Sequence, residues 1–206
     1  MKELEQRSYS FEVKAEDEAI GVITGRPIVY DSRTDMHYYD EVIMRGALDK
    51  TDLRDVRFLV NHDTSRIPLA RSRNNNGNST MHLTVDEMGM NIRVNLDVEN
   101  NAEARSLYSA VKRGDISGMS FMFSVEGEKW DNMDTEHPTR SITSIGRVVE
   151  VSACTFPAYD NTEIQARSLK ALESAKLALE SAKRNSLDSE LKLEKEKIKA
   201  LQKVRY

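Results

Sequence analysis

Two serines beside a glycine stand at the start of a β-prone segment in the second half of the chain. Ser117 and Ser120 lie on either side of Gly118, near the start of residues 116–125, which are rich in β-forming side chains. A serine next to a glycine at the start of a strand presents its hydroxyl with little steric cover, and it acts as a nucleophile when a base lies within reach. Serines are also common in sheets, so this segment alone leaves a nucleophilic and a structural role open.

Histidine is the base that a serine nucleophile most often uses. The chain has four histidines: His37, His62, His82 and His137. His62 directly follows an apolar run, residues 56–60, so it stands at the predicted end of a strand, although a histidine there can also be structural. No two histidines have the spacing of a helical zinc pair and no cysteine cluster accompanies them, so the sequence predicts no metal and no cofactor.

The third group of a triad orients the imidazole. Glu150 is the candidate, because it lies within residues 147–153, a stretch that should be largely buried, and a buried carboxylate is costly unless it is paired. Arg147 is the alternative, structural partner for this carboxylate. The residues alone therefore predict a β-rich domain with a candidate Ser/His/Glu site, without a Gly-x-Ser-x-Gly elbow, a phosphate loop or a dinucleotide-binding glycine pattern.

Composition excludes several classes of function. The chain has 206 residues and a net charge of −4, which gives no reason to expect a nucleic-acid partner. No apolar run approaches the roughly 18 residues that span a bilayer, and residues 1–10 lack the apolar core of a signal peptide. The single cysteine, Cys154, cannot form an internal disulfide, and its apolar neighbours favour a buried, inert thiol over a nucleophile. We therefore expect a cytosolic protein.

The elements that must position these residues are mostly strands. Residues 80–85 and 90–98 alternate between apolar and polar side chains on either side of a polar turn, which predicts a hairpin. Residues 101–113 predict a helix that ends at Gly114, a natural C-terminal cap. The polar residues 128–140 predict a mobile loop. Many strands with few helices predict a β-rich α+β fold, either a barrel or a sandwich that carries α elements.

The last forty residues have a different amino-acid composition, which predicts a boundary between a domain at 1–165 and a tail at 166–206. Residues 167–206 contain no glycine or proline and are built from Leu, Ala, Glu, Lys and Ser. Residues 171–183 hold a direct heptad repeat, ALESAKL followed by ALESAK, and the heptad phase slips near Asn185. The tail is predicted to be helical, as a weak coiled coil or as a solvated helix.

Four segments, taken in order, resemble the prohead proteases of tailed phages, a family of serine peptidases of capsid maturation that is distantly similar to the herpesvirus assemblin protease. They are GRPIVY with YDEVIMRGAL (residues 25–30 and 39–48), VRFLVNHD (56–63), KRGDISGMSFMF (112–123), and VEVS with FPAY (149–152 and 156–159). The likeness extends over about residues 8–165.

The resemblance implies a fold and a set of roles. His62 would be the general base, Ser120 the nucleophile and Glu150 the third member of the triad, with Ser117 as the alternative nucleophile. The implied fold is a small β-barrel with surrounding helices, like that of the herpesvirus proteases, followed by the helical or coiled-coil tail.

The resemblance also implies an activity and its setting. A serine endopeptidase of this kind would cleave the major capsid protein, scaffold polypeptides and its own chain, inside the assembling prohead in the host cytoplasm. Self-association through the barrel or the tail would accompany it, without nucleic acid or membrane. Backbone amides near Ser120, or Arg71 or Arg73, are candidates for the oxyanion hole. The competing functions are an inactive scaffold or assembly protein that works through its coiled coil, and a small-molecule-binding barrel.

Overall fold

The structure of the protein is a computed structural model that describes residues 4–9, 13–16, 20–155 and 162–203. Eleven strands and two helices lie in these ranges. The strands are β1 (Leu4–Tyr9), β2 (Val13–Ala15), β3 (Val22–Val29), β4 (Arg33–Asp35), β5 (Asp40–Ile43), β6 (Val56–Val60), β7 (Ala70–Ser72), β8 (Met81–Asp86), β9 (Gly89–Asn95), β10 (Gly118–Asp131) and β11 (Thr139–Cys154). The helices are α1 (Ala102–Arg113) and α2 (Thr162–Lys203).

A long antiparallel hairpin, β10–β11, is the centre of the larger sheet. In the described residues this sheet has seven strands, with β1 on the outer side of β10. On its other side β11 has two parallel partners in succession, because its first residues pair with β5 and its last residues pair with β6. The smaller sheet has the order β2-β3-β9-β8. The central hairpin therefore connects every part of the larger sheet.

The hydrophobic core draws on both sheets and on α1. Phe58, Phe121 and Val151 from the larger sheet are fully buried in one cluster with Ile23 and Val94 from the smaller sheet. Side chains alternate between the two faces of a strand. The residues between these apolar positions on β10 and β11, among them Ser120 and Glu150, consequently lie on the opposite face of the larger sheet.

The predicted β-rich α+β class is confirmed, but the predicted barrel is wrong. In the described residues the two sheets are not closed into a barrel. Single backbone hydrogen bonds join the sheet edges, from Val13 N to Ser117 O at 3.3 Å and from Thr80 N to Arg71 O at 3.0 Å. A barrel needs a continuous ladder around its circumference, and β2 and β7, with three residues each, are too short to supply one.

Local sequence signals placed some elements correctly and misplaced others. The hairpin of β8 and β9 is confirmed, and so is α1, which begins at its N-cap Asn101 and ends at Gly114 in the left-handed conformation with φ 81°. The mobile loop predicted for residues 128–140 is wrong. β10 extends to Asp131 and β11 begins at Thr139, so only the short connection between them is outside the ladder.

The tail is one continuous helix in the part that the structure describes. α2 runs for 42 residues and contacts the connection between β4 and β5 through Leu172, which is buried with Met36 and Tyr39. Residues 176–197 are all exposed. The helical prediction is confirmed for residues 167–203, whereas the coiled coil and the domain boundary at 165 stay predictions. The FPAY part of the fourth family-like segment, and residues 204–206, lie outside the described residues.

Candidate active site

The register of β10 against β11 places a serine and a carboxylate on one face of the sheet. Ser120 is directly opposite Ser152, and Met122 is directly opposite Glu150. Because side chains two residues apart on a strand share a face, Ser120, Ser152 and Glu150 project from the same side. Ser120 and Ser152 are fully buried, and Glu150 is 3% exposed.

A tight turn after β6 brings His62 over that face. β6 runs parallel to β11 with Val60 opposite Ala153, so His62 emerges beside the end of β11. Asn61 and His62 both adopt the left-handed conformation, with φ 51° and 59°, which side chains other than glycine seldom occupy. Asn61 N donates to Ala153 O at 3.0 Å, and Asn61 Oδ1 accepts from Thr155 N at 3.0 Å. These bonds hold the strained turn against β11.

The three residues form one continuous line of contacts. His62 Nε2 lies 2.5 Å from Ser120 Oγ, and His62 Nδ1 lies 2.5 Å from Glu150 Oε1. The imidazole therefore stands between a hydroxyl and a carboxylate, with its side chain 10% exposed. This is the arrangement in which Glu150 can fix the Nδ1–H tautomer while Nε2 accepts the proton of Ser120.

Ser152 joins the carboxylate to the backbone of the histidine, and sequence reasoning did not single it out. Its Oγ donates to Glu150 Oε2 at 2.6 Å and accepts from His62 N at 3.1 Å. One buried hydroxyl thus fixes both the second oxygen of the carboxylate and the turn that carries the imidazole. Its position two residues after Glu150 on a predicted strand was the signal that could have identified it.

Other residues that the sequence pointed to are not part of this line of contacts. Ser117 is exposed, outside β10. Cys154 is a buried thiol whose Sγ lies 4.0 Å from His62 Nε2, farther than the hydroxyl of Ser120. The guanidinium of Arg71 pairs with Asp55, at 2.6 Å from Nε, and Arg73 donates to Asn78 O at 3.1 Å.

A buried cluster of charged residues surrounds β1, and it too was missed from sequence. Arg7 donates to both carboxylate oxygens of Glu41, at 2.5 and 2.7 Å, and to Glu5 at 2.5 Å. Arg140 donates to Glu41 at 3.0 Å and to Glu5 at 2.7 and 2.8 Å, and it also contacts Glu128. These residues are far apart in the sequence, so only the folded sheet shows that they pair.

The cluster compensates the burial of its charges. Burial acts to raise the pKa of Glu5, but hydrogen bonds and charge from Arg140 and Arg7 outweigh it and hold the pKa at about 2. Burial likewise acts to lower the pKa of Arg7 and of Arg140, yet the neighbouring carboxylates raise both. Arg7 and Arg140 therefore stay charged inside the protein, and each depends on its carboxylate partners.

A second group of polar side chains lies at the surface. Asp35, Asp40 and His137 bring three potential metal-ligating atoms within 4.8 Å of one another. Polar contacts within the protein account for this closeness, since His137 Nε2 lies 3.3 Å from Asp40 Oδ1 and Arg33 donates to Asp40 Oδ2 at 2.7 Å. Exposed acidic groups of this kind are common without an ion, and we assign no metal to them.

Comparison with protein families identifies the family to which the chain belongs. The family model of the caudovirus prohead serine proteases matches residues 9–176, which include β2–β11, α1 and the first residues of α2. The chain belongs to the caudovirus prohead serine protease family. No curated protein and no solved structure gives a significant match. The matched range contains the histidine turn, the serine strand and the carboxylate strand of the candidate site.

Membership gives the chain its general activity. A caudovirus prohead serine protease is a protease of capsid maturation that acts on capsid proteins in the assembling capsid, inside the host cell. Neither helix in the described residues combines the length and apolar character needed to cross a membrane. The matched range ends at residue 176, where the fully exposed part of α2 begins.

Proposed function

We propose that the protein is a serine endopeptidase in which Ser120 is the nucleophile, His62 the general base and Glu150 the group that orients His62. The observation that carries this proposal is the line of contacts from Ser120 Oγ through both ring nitrogens of His62 to Glu150 Oε1. Ser117 is the alternative nucleophile, but it is exposed and lies outside the strand that faces His62.

The chemistry is acyl transfer in two halves. His62 Nε2 takes the hydroxyl proton while Ser120 Oγ attacks the peptide carbonyl, and Glu150 stabilises the resulting imidazolium by accepting from Nδ1–H. The imidazolium then gives its proton to the leaving amine, which departs with the C-terminal part of the substrate. Water, activated by His62, hydrolyses the acyl-enzyme and restores the serine hydroxyl.

The proposed substrates are the major capsid protein, scaffold polypeptides and the protease chain itself, cleaved inside the prohead. Confinement in an assembling shell raises the effective concentration of enzyme and substrate, so modest intrinsic affinity is sufficient there. This setting would restrict cleavage to the stage of assembly at which it is useful.

Co-expression with the capsid protein of the same phage tests the proposal. Ser120→Ala removes one oxygen and little volume, so the fold should persist while the rate falls by about four to six orders of magnitude. Ser117→Ala is the matched control and should process the capsid protein like the wild type. Intact-mass measurement of capsid and protease chains is the readout. Equal processing by wild type and Ser120→Ala would reject Ser120 as the nucleophile.

One observation favours a second function, that of an assembly protein. Leucines along α2 are exposed, among them Leu177, Leu187 and Leu193, and a helix partner would cover such side chains. In that case the tail would act through self-association or scaffold contact, whether or not the site is active. Assembly of capsid protein without any processing by the wild-type chain would favour this alternative.

A further inference from the structure

The nucleophile of the candidate site is covered by β1. Ser120 is fully buried, and its Oγ donates a hydrogen bond to the carbonyl oxygen of Arg7 at 2.6 Å. β1 is antiparallel to β10, with Ser8 directly opposite Ser120. A peptide carbonyl of the chain itself therefore stands beside the hydroxyl that must meet the carbonyl of a substrate.

The hydroxyl of Ser120 lies within hydrogen-bond distance of two acceptors, Arg7 O and His62 Nε2. The serine hydroxyl has a single proton to donate. When it donates that proton to Arg7 O, it does not donate it to His62 Nε2, although Nε2 lies 2.5 Å away. A base can remove only a proton that points toward it. Arg7 O and His62 Nε2 therefore compete for the proton of Ser120.

The topology allows β1 to be replaced without loss of the central sheet. In the described residues β1 is an edge strand whose ladder partner is β10. The ladder between β10 and β11, which holds Ser120 opposite Ser152, does not involve β1. An extended peptide can join the edge of β10 with the same backbone hydrogen bonds, as in other cases where a peptide adds a strand to a sheet.

The side chain of Arg7 shows what such a peptide would carry. Arg7 is opposite Phe121, so its side chain lies on the other face of the sheet from Ser120, 5.7 Å from the centre of the Phe123 ring. There it makes a bidentate ion pair with Glu41, whose side chain is fully buried. Without Arg7, Glu41 keeps Arg140 but loses the guanidinium that binds both of its oxygens. A buried carboxylate in that position favours another cation, with arginine as the best geometric fit.

We infer that β1 occupies the place of the substrate, and that an extended peptide with an arginine side chain bound by Glu41 replaces it along β10. This inference rests on the proposed function, because it assigns the substrate and the resting state of the same site. When β1 is displaced, the hydroxyl of Ser120 loses its bond to Arg7 O and can donate its proton to His62 Nε2 while a carbonyl of the incoming peptide takes the place of Arg7 O. Glu41 is thereby a specificity-determining residue.

Labelling of Ser120 by diisopropyl fluorophosphate in the full chain tests the covering role of β1. In this reaction Ser120 Oγ bonds to phosphorus, fluoride leaves and the hydroxyl proton passes to His62. Arg7→Gln removes charged hydrogen bonds that exist only while β1 is paired with β10, so it should favour the displaced state of β1. Labelling should then be about 10- to 100-fold faster than in the wild type. Arg26→Gln is the matched control, since it breaks a bidentate pair with Asp86 on the smaller sheet, and it should leave the rate unchanged.

A pair of peptides tests recognition by Glu41 in the Arg7→Gln variant. The peptide Leu-Glu-Gln-Arg-Ser-Tyr should slow the labelling of Ser120, and the same peptide with glutamine in place of arginine should not. Equal protection by both peptides, or protection by neither, would overturn the assignment of Glu41.

Three outcomes separate this inference from the proposed function. Labelling of Ser120 at equal rates in wild type and Arg7→Gln rejects the inference alone. No labelling of Ser120 in either protein, together with no capsid processing, rejects the proposed function and the inference with it. Should Arg7→Gln fail to fold, hydrogen exchange of the wild type decides, because amides of β1 that exchange only with global unfolding would contradict displacement.

Discussion

At the scale of single residues, Ser152 connects the groups that the candidate triad needs to keep in register. It bonds the second oxygen of Glu150 and the backbone N–H of His62, and both Ser152 and Glu150 are buried. His62 adopts a left-handed backbone conformation that has a cost for a residue with a side chain. Ser152 helps to stabilise this conformation, so it is a positioning residue rather than a participant in bond making.

Ser152→Ala should therefore slow the reaction of Ser120 more than it disturbs the fold. Loss of the hydroxyl leaves the N–H of His62 and one oxygen of Glu150 unsatisfied, and we expect the labelling rate of Ser120 with diisopropyl fluorophosphate to fall about tenfold. The measurement is the labelling rate per folded molecule across about pH 5 to 9.

A conservative variant and a distant serine complete this test. Ser152→Thr keeps the hydroxyl, so its labelling rate should recover much of what Ser152→Ala loses. A residue that only fills space would not show this recovery. Ser141→Ala changes another serine of β11, opposite Lys129, and should label like the wild type. A full rate in Ser152→Ala would show that Glu150 and the histidine turn hold the imidazole without Ser152.

At the scale of elements, β1 is attached by charge as well as by its ladder. Glu5 and Arg7 lie on the same face of this strand and reach Glu41 on β5 and Arg140 on β11. A buried ion pair adds specificity to a contact, and it becomes unfavourable when one partner is lost. The docking of β1 therefore depends on the charge of Glu5, and acid should weaken it.

Glu5→Gln should reduce the stability of the protein at neutral pH and flatten its acid dependence. The pKa of Glu5 falls from 4.5 to about 2 on folding, so its contribution is present above pH 4.5 and is lost as the pH falls toward 2. A pKa change of this size corresponds to at most about 3 kcal/mol in the free energy of unfolding. Urea unfolding at a series of pH values measures it, with Glu87→Gln as the control for loss of one carboxylate. Parallel curves for wild type and Glu5→Gln would contradict the role of the ion pair.

The elements also show what the sequence could and could not predict. α1 and the hairpin of β8 and β9 follow from local signals, such as the cap at Gly114, because every interaction that defines them is short in sequence. The polar stretch at 128–140 predicted a loop, but Arg140 faces Glu5 in the folded sheet, so its polarity serves a buried ion pair. The contact of β1 with Ser120 joins residues 113 positions apart and leaves no local pattern.

Part of the candidate site could likewise be predicted from the sequence, and part could not. His62, Ser120 and Glu150 were identified through family-like segments, and the structure brings them into contact. Ser152 shares a face with Glu150 by simple strand alternation, which the sequence does contain. The sequence does not show that this face is turned toward His62. That placement depends on the parallel register of β6 and β11, which no single residue encodes.

At the scale of the whole molecule, α2 has two parts with different surroundings. Leu172 is buried against Met36 and Tyr39, whereas residues 176–197 are exposed throughout. The predicted boundary at residue 165 falls before this contact. A boundary after residue 176 would keep Leu172 with the sheet, so the two positions give different stabilities for the remaining domain.

Two truncated chains distinguish these boundaries. A chain that ends at residue 176 should keep the unfolding free energy of the full protein, and one that ends at residue 165 should lose about 2 kcal/mol, the contribution of one buried leucine. Both should retain a β-rich circular dichroism spectrum, since none of the α2 side chains that the structure describes belongs to the core cluster of the two sheets. Unfolding of the chain that ends at 176 would show that the exposed part of the helix supports the core.

The same two chains test recruitment by the tail. Both should bind assembling proheads more weakly in cosedimentation if the exposed leucines recruit the protease, with full-length Ser120→Ala as the control for processing. Undiminished cosedimentation of the truncated chains would assign recruitment to the protease domain instead.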